Sequence, residues 1–198
     1  FSESVTGVNT ADFTLTTTGV TGASVSSVFG SGGFFIATVN SGSGSGTIRL
    51  DLVDDDSIVA ADDATPLGGV GAGNGDHDGD ETFIIDRTLP TVDSVAVLSS
   101  TQIQVTFSED MNAGTLSVSN YSLSGTGMGT FTTNPDSVAQ DSASMYTLTW
   151  DDGEMLDGGD ITIDVTSVYD EAGNLIGPPT SGTDASGAIG VLPEVTSI

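Results

Sequence analysis

Two stretches of the chain, GTIRLDLVDDDSI from Gly46 and GDITIDVTSVYD from Gly159, alternate apolar and polar residues with a period of two. Ile48, Leu50 and Leu52 point one way while Thr47, Arg49 and Asp51 point the other, and Ile161, Ile163 and Val165 repeat the pattern. Ile103, Val105 and Phe107 do the same. Period two with β-branched and aromatic residues predicts half-buried strands, and clusters of Gly, Asn, Asp and Ser separate them. No segment sustains the 3.6-residue apolar period of an amphipathic helix.

The strand patterns are also copied along the chain. FSES at residue 1 matches FSED at Phe107, and ADFTLTTTG from Ala11 matches SNYSLSGTG from Ser119. FFIATVN from Phe34 matches MYTLTWD from Met145, the two stretches above follow, ATPLGG meets GNLIGP, and LPTV meets LPEV. Landmarks in the same order define a repeat of roughly 105 residues. The expected architecture is all-β, with two tandem antiparallel sandwiches of about seven short strands each. Residues 1–88 form the first, lacking strand A and most of B. Residues 89–191 form the second, and residues 192–198 start the strand A of a following unit.

Composition narrows the function. There are 28 acidic residues against two basic ones, Arg49 and Arg87, giving a net charge of −26. Such a surface repels nucleic acid and anionic membrane, and its self-repulsion asks for screening by salt or bound divalent ions. With no Cys there are no disulfides, thiolate metal sites or Cys nucleophiles. With no Lys there are no Lys–Asn isopeptide cross-links. No apolar run approaches transmembrane length, so membrane insertion is not expected.

Three motifs together resemble bacterial Ig-like domains: FSE near the end of a second strand, DEAGNLI (residues 170–176), and the junction IIDRTLPTV (residues 84–92). Such domains occur in tandem in large surface adhesins, biofilm proteins and S-layer proteins, and the second domain resembles the S-layer type. The resemblance implies Ig-like sandwiches in an extracellular, cell-surface array. The first domain departs from it, carrying DDDSIVAADDATP where a D-x-A-G-N segment is expected.

Strand direction places the acids. In a sandwich lettered A to G, the B–C and F–G loops lie at the N-terminal pole beside the incoming linker. In the second domain B ends at Glu109 and Asp110, the F–G loop carries Asp170, Glu171 and Asn174, and the linker carries Asp86. Calcium takes six to eight oxygens in irregular geometry. Asp86, Glu109, Asp110 and Asp170, with Asn174, are therefore the expected calcium ligands, set against the alternative of solvated loop acids. The matching pole of the first domain offers Glu3, Asp54, Asp55, Asp56, Asp62 and Asp63.

Other candidates carry less. Asp76, Asp78 and Asp80 have the D-x-D-x-D spacing of an EF-hand, but the twelfth position is Arg87 rather than Glu, so an acidic hairpin is expected. His77 is the only His and makes neither a zinc site nor a triad. Trp150 ends an alternating strand and is expected in the core. Asn120–Tyr121–Ser122 fits a glycosylation sequon, a pattern that is frequent by chance. No phosphate loop is present, and the carboxylates are too many for any pair to stand out as a glycosidase acid and base.

The expected function is thus a non-enzymatic extracellular structural module of a tandem array or filament, stiffened by calcium at its joints. Its partners are neighbouring repeats or further copies, head to tail. Alternatives are a ligand- or carbohydrate-binding adhesin domain and an accessory domain of a secreted hydrolase. The tail LPEVTSI aligns Val195 with Val92 and Ile198 with Val95. Either the sequence is a window of a longer tandem chain, or this tail donates a strand to the gap left by the missing A and B strands of another copy.

Overall fold

The computed structural model describes residues 1–79 and 81–190. It is all-β with short 3-10 turns, and it divides into two units, Phe1–Thr88 and Leu89–Ile198. Among the described residues no helix is long and apolar enough to cross a membrane. Residues 192–198, with Val195 and Ile198, lie outside the described residues.

Unit 1 contains β1 (Val5–Thr6), β2 (Phe13–Thr18), β3 (Ser24–Ser31), β4 (Phe34–Asn40), β5 (Gly46–Leu52), β6 (Val59–Ala60) and β7 (Thr82–Ile85). Unit 2 contains β8 (Val92–Ser99), β9 (Gln102–Phe107), β10 (Tyr121–Ser124), β11 (Ser137–Ser142), β12 (Met145–Thr149), β13 (Ile161–Val165) and β14 (Ser181–Asp184).

Unit 2 is a complete Ig-like sandwich. One antiparallel sheet has the order β11-β12-β9-β8 and the other β10-β13-β14, which is D-E-B-A over C-F-G. The inward positions read in the sequence fill its core: Ile103, Val105, Leu148, Ile161, Ile163 and Val165 have no solvent exposure. Trp150 is buried as well, stacks on Phe131 and donates its indole N–H to the Thr132 carbonyl at 2.9 Å. The Tyr121 hydroxyl donates to the Thr115 carbonyl at 2.8 Å, and burial pushes its phenol pKa up. The two sheets meet closely at β14. A Cβ on Gly182 would lie 2.7 Å from a Val95 methyl, and Asp184 Oδ2 accepts the Val97 N–H at 2.8 Å.

Unit 1 repeats only part of this plan. Its sheet β2-β5-β7 has the place of C-F-G, with Phe13 opposite Leu52 as Tyr121 is opposite Val165. The hairpin β3-β4 has the place of D-E, and β1 pairs with β6. Strands A and B have no counterpart among the described residues. The first residues of unit 1 make hydrogen bonds like those at the end of β9. The Phe1 amino group donates to Gly33 O at 2.7 Å and Val5 N to Gly32 O at 3.0 Å. In unit 2, Phe107 N donates to Ser144 O at 2.8 Å and Met111 N to Ala143 O at 2.9 Å.

Candidate metal centre

The pole of unit 2 is built where β9 ends and the chain beyond β13 returns. β13 stops at Val165, Ser167 takes a positive φ of 58°, and the chain pairs again through Tyr169–Leu175 and Met111–Asp170 bridges. Asn112 N donates to Tyr169 O at 3.0 Å, which ties the B–C loop to the F–G loop. The two carboxylates expected from remote segments therefore meet: an oxygen of Glu109 lies within 4.8 Å of an oxygen of Asp170.

Asp170 is the anchor, only 2 % exposed. Its Oδ1 accepts the Asn174 backbone N–H at 2.7 Å and its Oδ2 the Asn174 side-chain amide at 2.8 Å. Glu109 is half-buried, and Asp110 is exposed with its carbonyl accepting Glu171 N at 3.4 Å. Buried carboxylates are costly unless their oxygens are satisfied, and each oxygen bound by one N–H still keeps a lone pair for a cation.

Asp86 lies at the end of unit 1, three residues ahead of Leu89. Its Oδ1 accepts Thr88 N at 2.9 Å and the Ser45 hydroxyl at 3.3 Å. The Thr88 N–H holds its carboxyl below the usual carboxylate range. Arg87 secures the same stretch by donating to Gly44 O at 2.6 Å and to Ser41 Oγ at 2.7 Å.

In unit 1 the expected acids do not converge. Among its described residues no three carboxylates come to metal-ligand spacing. Glu3, the counterpart of Glu109, is exposed, but the position of Asp170 is held by Ala60, which pairs with Val5 as Asp170 pairs with Met111. Asp54 is buried and accepts Asp56 N and Gly75 N, both at 3.1 Å. Asp56 receives Gly71 N at 3.1 Å on either oxygen. Asp62 is exposed, and Asp63 and Asp55 cap their own turns through Thr65 N and Ser57 N.

One acid of structural weight escaped the sequence reading. Asp12 is buried, accepts the Ser57 hydroxyl at 2.9 Å and closes a capping box with Asn9. The N-x-x-D spacing is a signal that could have found it. Asp76, expected in an acidic hairpin, accepts Asp54 N at 2.7 Å. His77 is exposed, and its backbone pairs with Leu52.

A profile of the bacterial Ig-like domain matches residues 80–183. Among curated proteins none matches. Solved structures similar to this chain include the N-terminal part of the bacterial S-layer protein SbsC, at 27 % identity and a TM-score of 0.40. Another is surface layer protein SbsC, domains 1-6, at 29 % identity and a TM-score of 0.41. Each covers 50 % of this chain, which spans only 24 % and 14 % of theirs. The strand pairing of unit 2 carries the Ig-like fold. With the profile spanning more than half of its length, the chain belongs to the bacterial Ig-like domain family.

Proposed function

We propose that this chain is a non-catalytic structural segment of an extracellular, tandem Ig-like array, in which calcium stiffens the junction ahead of a complete sandwich. Glu109, Asp110 and Asp170 supply ligands from unit 2, Asp86 supplies one from the segment leading into it, and Asn174 orients Asp170. The observation that supports this reading most is the meeting of Glu109 and Asp170 at the pole, with Asp170 buried yet still able to accept a cation. A divalent ion would also offset a net charge of −26. Calcium suits such a site because it accepts carboxylates, carbonyls and water in irregular geometry.

In this reading each sandwich is a spacer, and the ion converts a flexible joint into a stiff one in the calcium-rich exterior of the cell. Small-angle scattering with and without a chelator tests it. Removal of calcium should broaden the distribution of interatomic distances while circular dichroism stays β-like. One unchanged rigid length in both conditions would count against it.

A further inference from the structure

Residues 13–48 carry no charged side chain, although the chain holds 28 acidic residues and a net charge of −26. The hairpin of β3 and β4 lies wholly within that stretch. β3 runs for eight residues, Ser24–Ser31, and among the described residues it pairs with β4 alone. Its other edge makes no ladder, and such an edge is a template for a further strand. The side chains add to this. Phe29 on β3 stands opposite Ile36 on β4, and Phe34, two residues earlier, projects to the same face. Phe29 is 59 % exposed, Phe34 72 % and Ile36 43 %. The opposite face of the hairpin holds Val28, Phe35, Ala37 and Val39, all half-buried.

Unit 2 treats the same place differently. β11 is the counterpart of β3, and it too pairs with one strand only, β12. Ala139 and Thr147 hold the positions of Phe29 and Ile36. Beside them, Asp141 on β11 accepts the Thr147 hydroxyl at 2.6 Å and the Gln104 amide at 3.0 Å. A charged side chain on an edge strand opposes pairing with a further strand. The edge of β11 has that protection, and the edge of β3 has none.

We propose that β3 is a lateral self-association edge, pairing antiparallel with β3 of a second copy about a two-fold axis. The two hairpins then form one four-stranded sheet, with Phe29 and Ile36 of both copies packed on one face. The occupant follows from charge. A cationic partner finds no carboxylate on this hairpin to select it. A second copy, itself at −26, is repelled by acidic surfaces but meets no charge along β3 and β4. An antiparallel edge is also self-complementary, as a two-fold contact requires. The contact runs sideways, whereas the calcium proposal concerns successive domains along one chain, and neither rests on the other.

Analytical ultracentrifugation of the full chain tests it, with chelator and with calcium. The wild type should pass from monomer to dimer as concentration rises in both conditions. Association should strengthen with added salt, because screening weakens the repulsion between copies. Ser27→Lys and Phe29→Lys each set like charges against one another across the pair and should weaken association about tenfold or more. Lysine lowers the overall repulsion between copies, so a weakened dimer reports on the edge itself. Ala139→Lys on β11 should change nothing. Hydrogen exchange with mass spectrometry should show the β3 amides slowing as the dimer forms. Circular dichroism checks that each variant keeps its β-type spectrum, and where one loses it the other decides. A wild type that stays monomeric at high concentration overturns the proposal. So does a dimer that survives both lysine variants, requires calcium, or leaves β3 exchange unchanged.

Discussion

Asn174 holds both oxygens of Asp170, its backbone N–H on Oδ1 at 2.7 Å and its side-chain amide on Oδ2 at 2.8 Å. The second bond is made to a buried carboxylate, and bonds to charged groups contribute more than neutral ones. Replacing Asn174 by Ala removes that bond and leaves the first. Urea unfolding of the calcium-free protein should show unit 2 destabilised by about 1–2 kcal/mol. The loosened carboxylate should also weaken calcium binding.

Equivalent core positions in the two units should not cost the same. Ile163 is fully buried, and truncation to Ala leaves a cavity that costs about 2–5 kcal/mol. Leu50, at the corresponding position on β5, is half-buried, and its truncation should cost less than about 1.5 kcal/mol. Denaturant unfolding of the two single variants makes the comparison. Equal losses would mean that unit 1 is as tightly packed as unit 2.

Acid should act through Asp51. Its carboxylate accepts Arg49 Nε at 2.6 Å and the Thr16 hydroxyl at 2.6 Å, and the hydrogen bond from Arg49 leads in holding its pKa below the ordinary carboxylate value. A folded-state pKa below the unfolded one contributes stability that is fully present above the unfolded value and is lost as pH falls through the folded one. Melting temperatures of the wild type and Asp51→Asn should therefore differ most near pH 6 and converge as pH falls below the ordinary Asp value of about 3.9. A gap that persists into acid would contradict the assignment.

Asp86 and Asp136 provide a matched pair. Asp136 caps a turn within unit 2 through Asp151 N at 2.7 Å and has no place in the calcium proposal. Asp86→Ala should broaden the scattering-derived distance distribution in the presence of calcium, and Asp136→Ala should leave it unchanged. Both variants should keep a β-type circular dichroism spectrum.

Strands such as β9 and β13 were legible because period two survives in them, as in Ile161, Ile163 and Val165. The meeting of Glu109 with Asp170 was legible because strand direction alone sends the B–C and F–G loops to one pole. The role of Asn174 was less legible, since its amide donates to Asp170, and a spacing of four residues does not say whether an amide orients a carboxylate or binds an ion itself. Nor did acid density identify Ala60 as the counterpart of Asp170. That correspondence rests on the Val5–Ala60 and Met111–Asp170 pairings, which close across more than fifty residues of intervening chain. The buried Asp12 was hidden for a similar reason, because Ser57, its distant partner, is unremarkable in sequence.

Isothermal titration of chelator-treated protein with calcium tests the central claim most directly. The account predicts a saturable heat that is lost in Asp170→Asn, is reduced in Glu109→Gln, and is accompanied by a rise in melting temperature that is largest for the wild type and absent in Asp170→Asn. No heat on adding calcium to the wild type, or an undiminished heat in Asp170→Asn, would contradict it.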